Sequence, residues 1–487
     1  MRNPKKGGKP APKPKAAGSG KKSKKDAKPQ LMETDTQANT KSVWRPGVDP
    51  VGEDEELDYD RTAYDCLHRL ELDWPCLSFD LIKDDLGGPR STFPHSLLLA
   101  AGTQAATAKQ NYLAFLRLAN LGQGRHGKKA QKAADGSDSS SEEDDDDDGD
   151  SMSGSEEEGE EGERKQRPGL PEVDLVYGPP RMHFRMVQHQ GGINRVRSCP
   201  HKPGLVAVWA DSAMVRLYDG TRLLHDMQQE TESSNKNKAR VDLKPVAQHT
   251  HAMEGFALDW SPLAAGRLAS GDCRKHICVW EPSDAACSSW SVSAAYAGHE
   301  ASVEDLQWSP TETTVFASCS CDHTLRVWDT RERSKPMITV KAHECDVNVV
   351  SWNRLVTYML ASGGDDGSLR IWDLRNFTQD GPVSDFAFHR SHITGVEWCP
   401  YEGSMLASCA ADNQLAVWDL ALERDPEEEA ALAPEGNAAA PEDLPAQLLF
   451  LHAGQKDLKE CHWHAQIPGM IVSTAGDGFN VFKASNM

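Results

Sequence analysis

Four stretches of this chain align without gaps on a tryptophan followed by an acidic residue. They are SGDCRKHICVWE ending at Glu281, SCSCDHTLRVWD at Asp329, SGGDDGSLRIWD at Asp373 and SCAADNQLAVWD at Asp419. The tryptophans, Trp280, Trp328, Trp372 and Trp418, stand 48, 44 and 46 residues apart. A second tryptophan precedes each one in an apolar strand pattern: Trp260, Trp308, Trp352 and Trp398. Two units open on a histidine turn, Gly298-His299 and Ala342-His343. A unit of this length cannot bury its apolar face alone and must stack on its neighbours, and this period with these marks reads as the four-stranded blade of a β-propeller. Degenerate copies flank the four. Ile193 to Asp219 has Tyr218 in the tryptophan position, Leu458–Phe482 contains Trp463 and Asp477, and Trp74–Val187 has strands for one more blade. The prediction is an all-β ring of seven blades over 74–487, interrupted by an acidic disordered insertion at 121–180 and by loop insertions at 220–247 and 423–446. Before it, 51–73 reads as a helical region. Ala63, Leu67 and Leu70 recur at helical spacing with Tyr64 beside them, so a short amphipathic helix is expected over Asp58–Leu70.

Charge is unevenly spread. The net charge is −21, yet residues 1–28 hold eleven Lys/Arg and one Asp, while 135–163 hold sixteen Asp/Glu and no Lys/Arg. With both set aside the remainder is still acidic. Such a surface repels nucleic-acid phosphate and attracts basic polypeptides. Neither the arm 1–50 nor the acidic insertion can bury a core, so both are expected to be disordered. The acidic run SDSSSEEDDDDDGDSMSGSEEEGEEGE contains Glu142, Glu143, Asp144, Asp145, Asp146, Asp147, Asp148, Glu156, Glu157 and Glu158, which fit a counter-charge brush that shields a basic client. Ser139, Ser140, Ser141 and Ser155 each have an acidic residue three positions on, the spacing an acidophilic kinase reads; each phosphate would add about 1.5–2 negative charges. Lys21-Lys22-Ser23-Lys24-Lys25 reads as a nuclear or nucleolar address. No apolar run opens the chain and none reaches the roughly 18 residues that span a membrane, so neither secretion nor a membrane is expected. Twelve cysteines without a spacing frame fit a reducing compartment.

The repeat resembles the WD repeat. That resemblance implies a seven-bladed WD-repeat β-propeller with a short N-terminal helix and disordered charged segments. It also implies a buried polar set in each good blade: His299, Ser318, Asp322 and Trp328; His343, Ser362, Asp366 and Trp372; and Ser408, Asp412 and Trp418. The unit ending at Trp280 has Arg274 where the others have Asp, so no complete set is expected there. A His–Asp–Ser set that recurs from blade to blade is a structural device rather than a single active site, and the chain lacks the G-x-S-x-G elbow. Gly122-Gln123-Gly124-Arg125-His126-Gly127-Lys128-Lys129 has lysine where a phosphate loop needs Ser/Thr, and Cys461-His462-Trp463-His464 lacks a second ligand pair at finger spacing. The expectation is no catalysis, no cofactor, no metal and no small-molecule substrate.

Trp74-Pro75-Cys76-Leu77-Ser78-Phe79, Leu97-Leu98-Leu99-Ala100-Ala101-Gly102-Thr103 and PEDLPAQLLFLHAG (441–454) resemble the histone-binding WD-repeat proteins of chromatin assembly complexes. Glu254-Gly255-Phe256-Ala257-Leu258-Asp259-Trp260, SVEDLQWSPTETTVFASCS (302–320), LERDPEEE (422–429) and the long acidic insertion are similar to the glutamate-rich WD-repeat family of nucleolar ribosome-assembly factors. The resemblance implies a nuclear, nucleolar scaffold or chaperone for a newly made large-subunit ribosomal protein of the L-three type, with histones as alternative partners and pre-ribosomal particles reached indirectly. It implies a monomer within a larger complex and a client groove at Tyr64, Leu67, Leu70, Asp425, Glu427, Glu428 and Glu429. Trp328-Asp329-Thr330-Arg331 and Trp372-Asp373-Leu374-Arg375 resemble the W-D-x-R box of cullin-ligase substrate receptors, which makes Arg331 and Arg375 a third candidate contact.

Overall fold

The computed structural model describes residues 60–124, 178–229, 238–377, 381–423 and 444–487. They form seven sheets, antiparallel but for one added parallel strand, and in each the first strand of its repeat lies innermost. The innermost strands are Cys76–Ile82, Ile193–Cys199, Leu258–Trp260, Val303–Trp308, Val347–Trp352, Ile393–Trp398 and Leu458–Trp463. Each packs on the next, and Leu458–Trp463 packs back on Cys76–Ile82, so the ring is closed. The seven-bladed propeller predicted from the repeat is the fold.

The aromatic repeat explains why blades adhere. Trp280, Trp328, Trp372 and Trp418 are fully buried between sheets. Most of the second tryptophans staple one blade to the preceding one, whereas Trp352 Nε1 donates to Thr357 O of its own blade (2.8 Å). Trp260 Nε1 donates to Arg197 O (2.9 Å), Trp308 Nε1 to Asp259 O (3.1 Å), Trp398 Nε1 to Ser351 O (3.1 Å) and Trp463 Nε1 to Glu397 O (3.1 Å). Each indole thus buries a large apolar ring and still satisfies its N–H. The twelve cysteines form no disulfide.

Two expectations need correction. Residues Tyr64–Leu70 are a strand, not a helix; among the described residues a single 3-10 turn, Arg61–Ala63, precedes it, capped by Asp60. The strand pairs antiparallel with Gly478–Ala484, from Tyr64 opposite Ala484 to Leu70 opposite Phe479. The last blade has three C-terminal strands, and without this fourth its outer edge would leave a row of N–H and C=O groups unpaired. That tertiary demand outweighs a weak helical periodicity. Cys66 and His68, two residues apart, turn inward as strand alternation requires.

The second insertion is not simply a loop. Thr221–Gln229 is the α-helix of the described residues, with Leu224 and Met227 buried. Asp219 Oδ1 accepts from Thr221 N (3.1 Å), which satisfies one of the open donors at the helix start. Lys238–Val241 then adds to blade one as a fifth strand, parallel to Arg181–Gln188. The insertion therefore covers the outer edge of blade one before the chain returns to complete blade two with Ala247–Thr250.

Candidate functional site

The buried polar sets form as the repeat implied. In blade four, Trp328 Nε1 donates to Ser318 Oγ (2.8 Å), Ser318 Oγ meets His299 Nε2 (2.7 Å), and His299 Nδ1 meets Asp322 Oδ2 (2.8 Å). Blade five repeats the first steps through Trp372, Ser362 and His343, each at 2.9 Å. Blade six uses Trp418, Ser408, Asp412 and His389, a histidine that sequence reasoning misses because no Gly or Ala marks its turn. Blade three, where no set was expected, has one. Trp280 Nε1 donates to Ser270 Oγ (2.9 Å), His251 Nε2 meets the same oxygen (2.9 Å), and Asp272 stands 3.5 Å from His251 Nδ1. The carboxylate comes from two positions earlier than in the other units, and that offset hides it. Burial lowers the His299 pKa despite Asp322, and burial first, then Arg370, lowers His343 to about 4. Burial would raise Asp322, but its bonds to His299 hold it well below the carboxylate range. Ser318, Ser362, Ser408 and Ser270 are fully buried, each with its oxygen committed to an indole N–H. No substrate can reach such an oxygen, so these sets are fold-holding networks.

The central channel is the second polar concentration. Side chains of the innermost strands accept backbone N–H groups from the next blade: Ser198 N to Asp80 (2.7 Å), Trp308 N to Asp259 (2.8 Å), Trp352 N to Gln307 (2.7 Å), Trp463 N to Glu397 (2.9 Å) and Phe79 N to Glu460 (3.0 Å). Glu460 also binds Arg195 Nη1 (2.9 Å) and Arg197 Nη2 (2.7 Å). His462, from the Cys461–His464 cluster, lies between Glu397 (3.0 Å) and Glu460 (3.4 Å). Burial alone would lower its pKa, but the two carboxylates outweigh that and hold it at about 10. Burial raises Asp259 to about 7 against the pull of Trp308 N–H and Arg354. The channel leaves a cavity of about 330 Å³ near Arg354, Asp259 and His462. Its charges are spent on closing the ring.

The surface chemistry lies at the rims. On the rim where the innermost strands begin, loops from adjacent strands are tied together, as by Cys273 N to Glu254 O (2.9 Å), Cys321 N to Ser302 O (3.0 Å) and Asp365 N to Asp346 O (3.0 Å). Across blades three to five this rim carries Glu254, Glu300, Glu304, Glu344, Asp346, Asp365 and Asp366, all at least partly exposed. Arg274 and Lys275 interrupt it, and Lys341 pairs with Glu344. A basic segment would find there a field of fixed negative charge.

Of the residues expected to line a client groove, Tyr64, Leu67 and Leu70 fall within the described chain. Tyr64 Oη meets His452 Nδ1 (2.8 Å), and its ring packs edge-on against Phe450 (5.3 Å) and Phe482 (6.0 Å). Leu67 joins the same cluster, whereas Leu70 packs with Trp74 in the core between blades seven and one. Tyr64 thus sits beside Leu448–Ala453, the strand that follows the acidic loop. Asp425, Glu427, Glu428 and Glu429 lie outside the described residues, as do the acidic run from Glu142 to Glu158 and Ser139, Ser140, Ser141 and Ser155. Arg331 and Arg375 lie on the rim opposite the acidic one. Their side chains are 76% and 64% exposed, and each forks onto its own Asp329 or Asp373. Arg375 also covers the Tyr358 ring at 3.8 Å.

A family profile for the histone-binding protein RBBP4 or its counterpart in the CAF1 complex matches residues 54–122, and the WD domain, G-beta repeat, matches 290–329, 334–373 and 381–419. Among solved structures, the WD40 β-propeller domain of Doa1 is similar with a TM-score of 0.50 at 13% identity, covering 87% of this chain and 97% of that one, a likeness of fold alone. The protein HEAT STRESS TOLERANT DWD 1 of Arabidopsis thaliana is 46% identical over 91% of this chain and 92% of its own length. Glutamate-rich WD repeat-containing protein 1 of Dictyostelium discoideum is 52% identical over 92% and 85%, and ribosome assembly protein rrb1 of Schizosaccharomyces pombe 36% identical over 91% and 85%. With identity of this order over nine-tenths of the chain, it belongs to the WD-repeat family of glutamate-rich WD repeat-containing protein 1 and ribosome assembly protein rrb1.

Proposed function

We propose that this protein is a non-enzymatic assembly chaperone of ribosome biogenesis, working in the nucleus and nucleolus, that holds a basic client such as a newly made large-subunit ribosomal protein of the L-three family. The observation that carries the reading is similarity over nine-tenths of the chain to a ribosome assembly protein, in a sequence with net charge −21. The acidic rim of blades three to five supports it, because it offers a rigid anionic surface to a cationic segment. The acidic run adds a second, sequence-encoded reservoir of negative charge. Client affinity then falls with added salt, since exposed charge pairs are screened within about 10 Å at 0.1 M.

Affinity purification with mass spectrometry at two salt concentrations tests the proposal. Recovery of a large-subunit ribosomal protein and pre-ribosomal RNA, lost at the higher salt, supports it; recovery of neither ribosomal proteins nor histones sinks it. Core histones as the main partners would favour chromatin assembly, the reading that the match over 54–122 supports. A ligase-receptor role draws on the exposed Arg331 and Arg375, whose forked pairs on Asp329 and Asp373 are alike in the two blades. Arg331→Ala with Arg375→Ala should then abolish recovery of a cullin adaptor and leave client binding intact.

A further inference from the structure

Blade five departs from its neighbours at one place. In blades four and six the network carboxylate is tucked in: Asp322 and Asp412 side chains are each 7% exposed, at 2.8 and 3.2 Å from His299 and His389 Nδ1. In blade five Asp366 is 35% exposed and stands 3.5 Å from His343 Nδ1. Ser368 Oγ bridges the two, 3.2 Å from His343 Nδ1 and 2.6 Å from Asp366 Oδ1. The arginine that grips the aspartate in blade four, Arg326 to Asp322 at 3.1 Å, has no counterpart bond here. Arg370, at the same repeat position, turns to Asp385 (2.9 Å) and Ala342 O (2.6 Å).

The loosened carboxylate faces a thiol. Cys345 lies two residues after His343, and ligand atoms of His343, Cys345 and Asp366 all fall within 4.8 Å of one another. Gly364 lets His343 and Asp366 close in against the backbone. A Cβ there would meet His343 Nδ1 at 2.6 Å and Asp366 Oδ1 at 2.8 Å. The equivalent positions carry Asp272 in blade three, Ser320 in blade four and Ala410 in blade six. Blade five alone of these four combines an absent side chain, a displaced carboxylate and a cysteine at one histidine.

We infer that His343 Nδ1, Cys345 Sγ and the Asp366 carboxylate form a site for a divalent cation of zinc type, with the remaining position open to water. Nitrogen, thiolate and carboxylate are the donors zinc takes, at about 2.0–2.3 Å, which places tetrahedral ligands roughly 3.5 Å apart. Cys345 and Asp366 sit on half-exposed turns and can close that distance. With the cation on Nδ1, His343 carries its proton on Nε2, 2.9 Å from Ser362 Oγ, the kind of outer hydrogen bond that orients such imidazoles. Binding releases the Cys345 proton, and Asp346, Asp365 and Glu344 around the site favour the cation. The other soft cluster, His249, His251 and Cys278, offers less room: His251 and Cys278 are both buried, and the Trp209 and Trp280 rings pack 4.7 Å from His251 and 5.7 Å from His249.

Cobalt(II) titration of the full-length, chelator-stripped protein tests the inference, since a thiolate ligand gives a sulfur-to-cobalt charge-transfer band that carboxylates do not. One equivalent should bind with that band and be displaced by zinc. Cys345→Ser should remove the band. Gly364→Ala, a residue the fold accepts at Ala410, should weaken binding at least ~10-fold by pushing His343 Nδ1 and Asp366 Oδ1 aside. Cys278→Ser should change neither. No charge-transfer band, a band that survives Cys345→Ser, or unchanged affinity in Gly364→Ala would each overturn the site.

Discussion

His462 should give the propeller a measurable alkaline weakness. The imidazole lies between Glu397 of blade six and Glu460 of its own strand, and Asp80 and Arg197 also face it across the channel. Its pKa is raised to about 10, against an ordinary 6.5. A group whose folded pKa lies above its unfolded value stabilises fully below the unfolded pKa and loses that contribution as pH rises through the folded one. The window is therefore about pH 6.5–10. Within it the native state holds one proton more than the unfolded chain, and stability falls by up to about 1.4 kcal/mol per pH unit. Between about pH 7.0 and 8.5, before lysine and tyrosine titrate, the loss should approach about 2 kcal/mol. Urea unfolding at several pH values in this range measures it, with His462→Gln as the reference. Glutamine removes the titration while keeping a polar side chain of similar length. The variant should be less stable at pH 7 and should converge on the natural protein by pH 10. Parallel pH slopes for the two proteins would refute the assigned charge state of the channel.

Three further outcomes follow from the packing. Ser318→Ala strands the Trp328 indole N–H and the His299 ring in a dry blade, and calorimetry should find about 1–3 kcal/mol lost. Removing residues 60–72 bares the outer edge of Gly478–Ala484, so size-exclusion chromatography should show aggregation; a monomeric, fully folded truncation would contradict the closure of blade seven. Reversing Glu300, Asp346 and Asp365 to lysine should leave the melting temperature nearly unchanged and weaken a basic client at low salt more than at high salt; equal weakening at both would remove the acidic rim from the binding surface.

Legibility differed by scale. The four clear repeats were readable because an indole and a serine at fixed spacing answer a local demand: a large buried ring with one N–H to satisfy. His251, Asp272 and His389 were not: His251 and His389 stand 19 residues before their serines, as His299 and His343 do, but lack the Gly or Ala that marks those turns, and Asp272 stands two places nearer its serine than the other carboxylates. The helix expected over Asp58–Leu70 failed for another reason. A seven-residue apolar pattern fits both periods, and the deciding partner, Gly478–Ala484, lies more than four hundred residues away. Insertion 220–247 looked like loop because its helix buries only Leu224 and Met227, and its strand finds a partner only in blade one.

The sequence by itself determined the propeller and its acidic character, because blade formation depends on neighbours in the chain and charge depends on composition. Only the tertiary structure decided how the ring closes, which polar residues are spent on holding it, and where chemistry is left over. Closure needs the two ends of the described chain in one sheet. The spent residues are known only by the blade each faces. In the His343–Cys345–Asp366 cluster the arginine of the repeat, Arg370, pairs with Asp385 and leaves Asp366 more exposed than its counterparts, a choice of contacts that no spacing encodes.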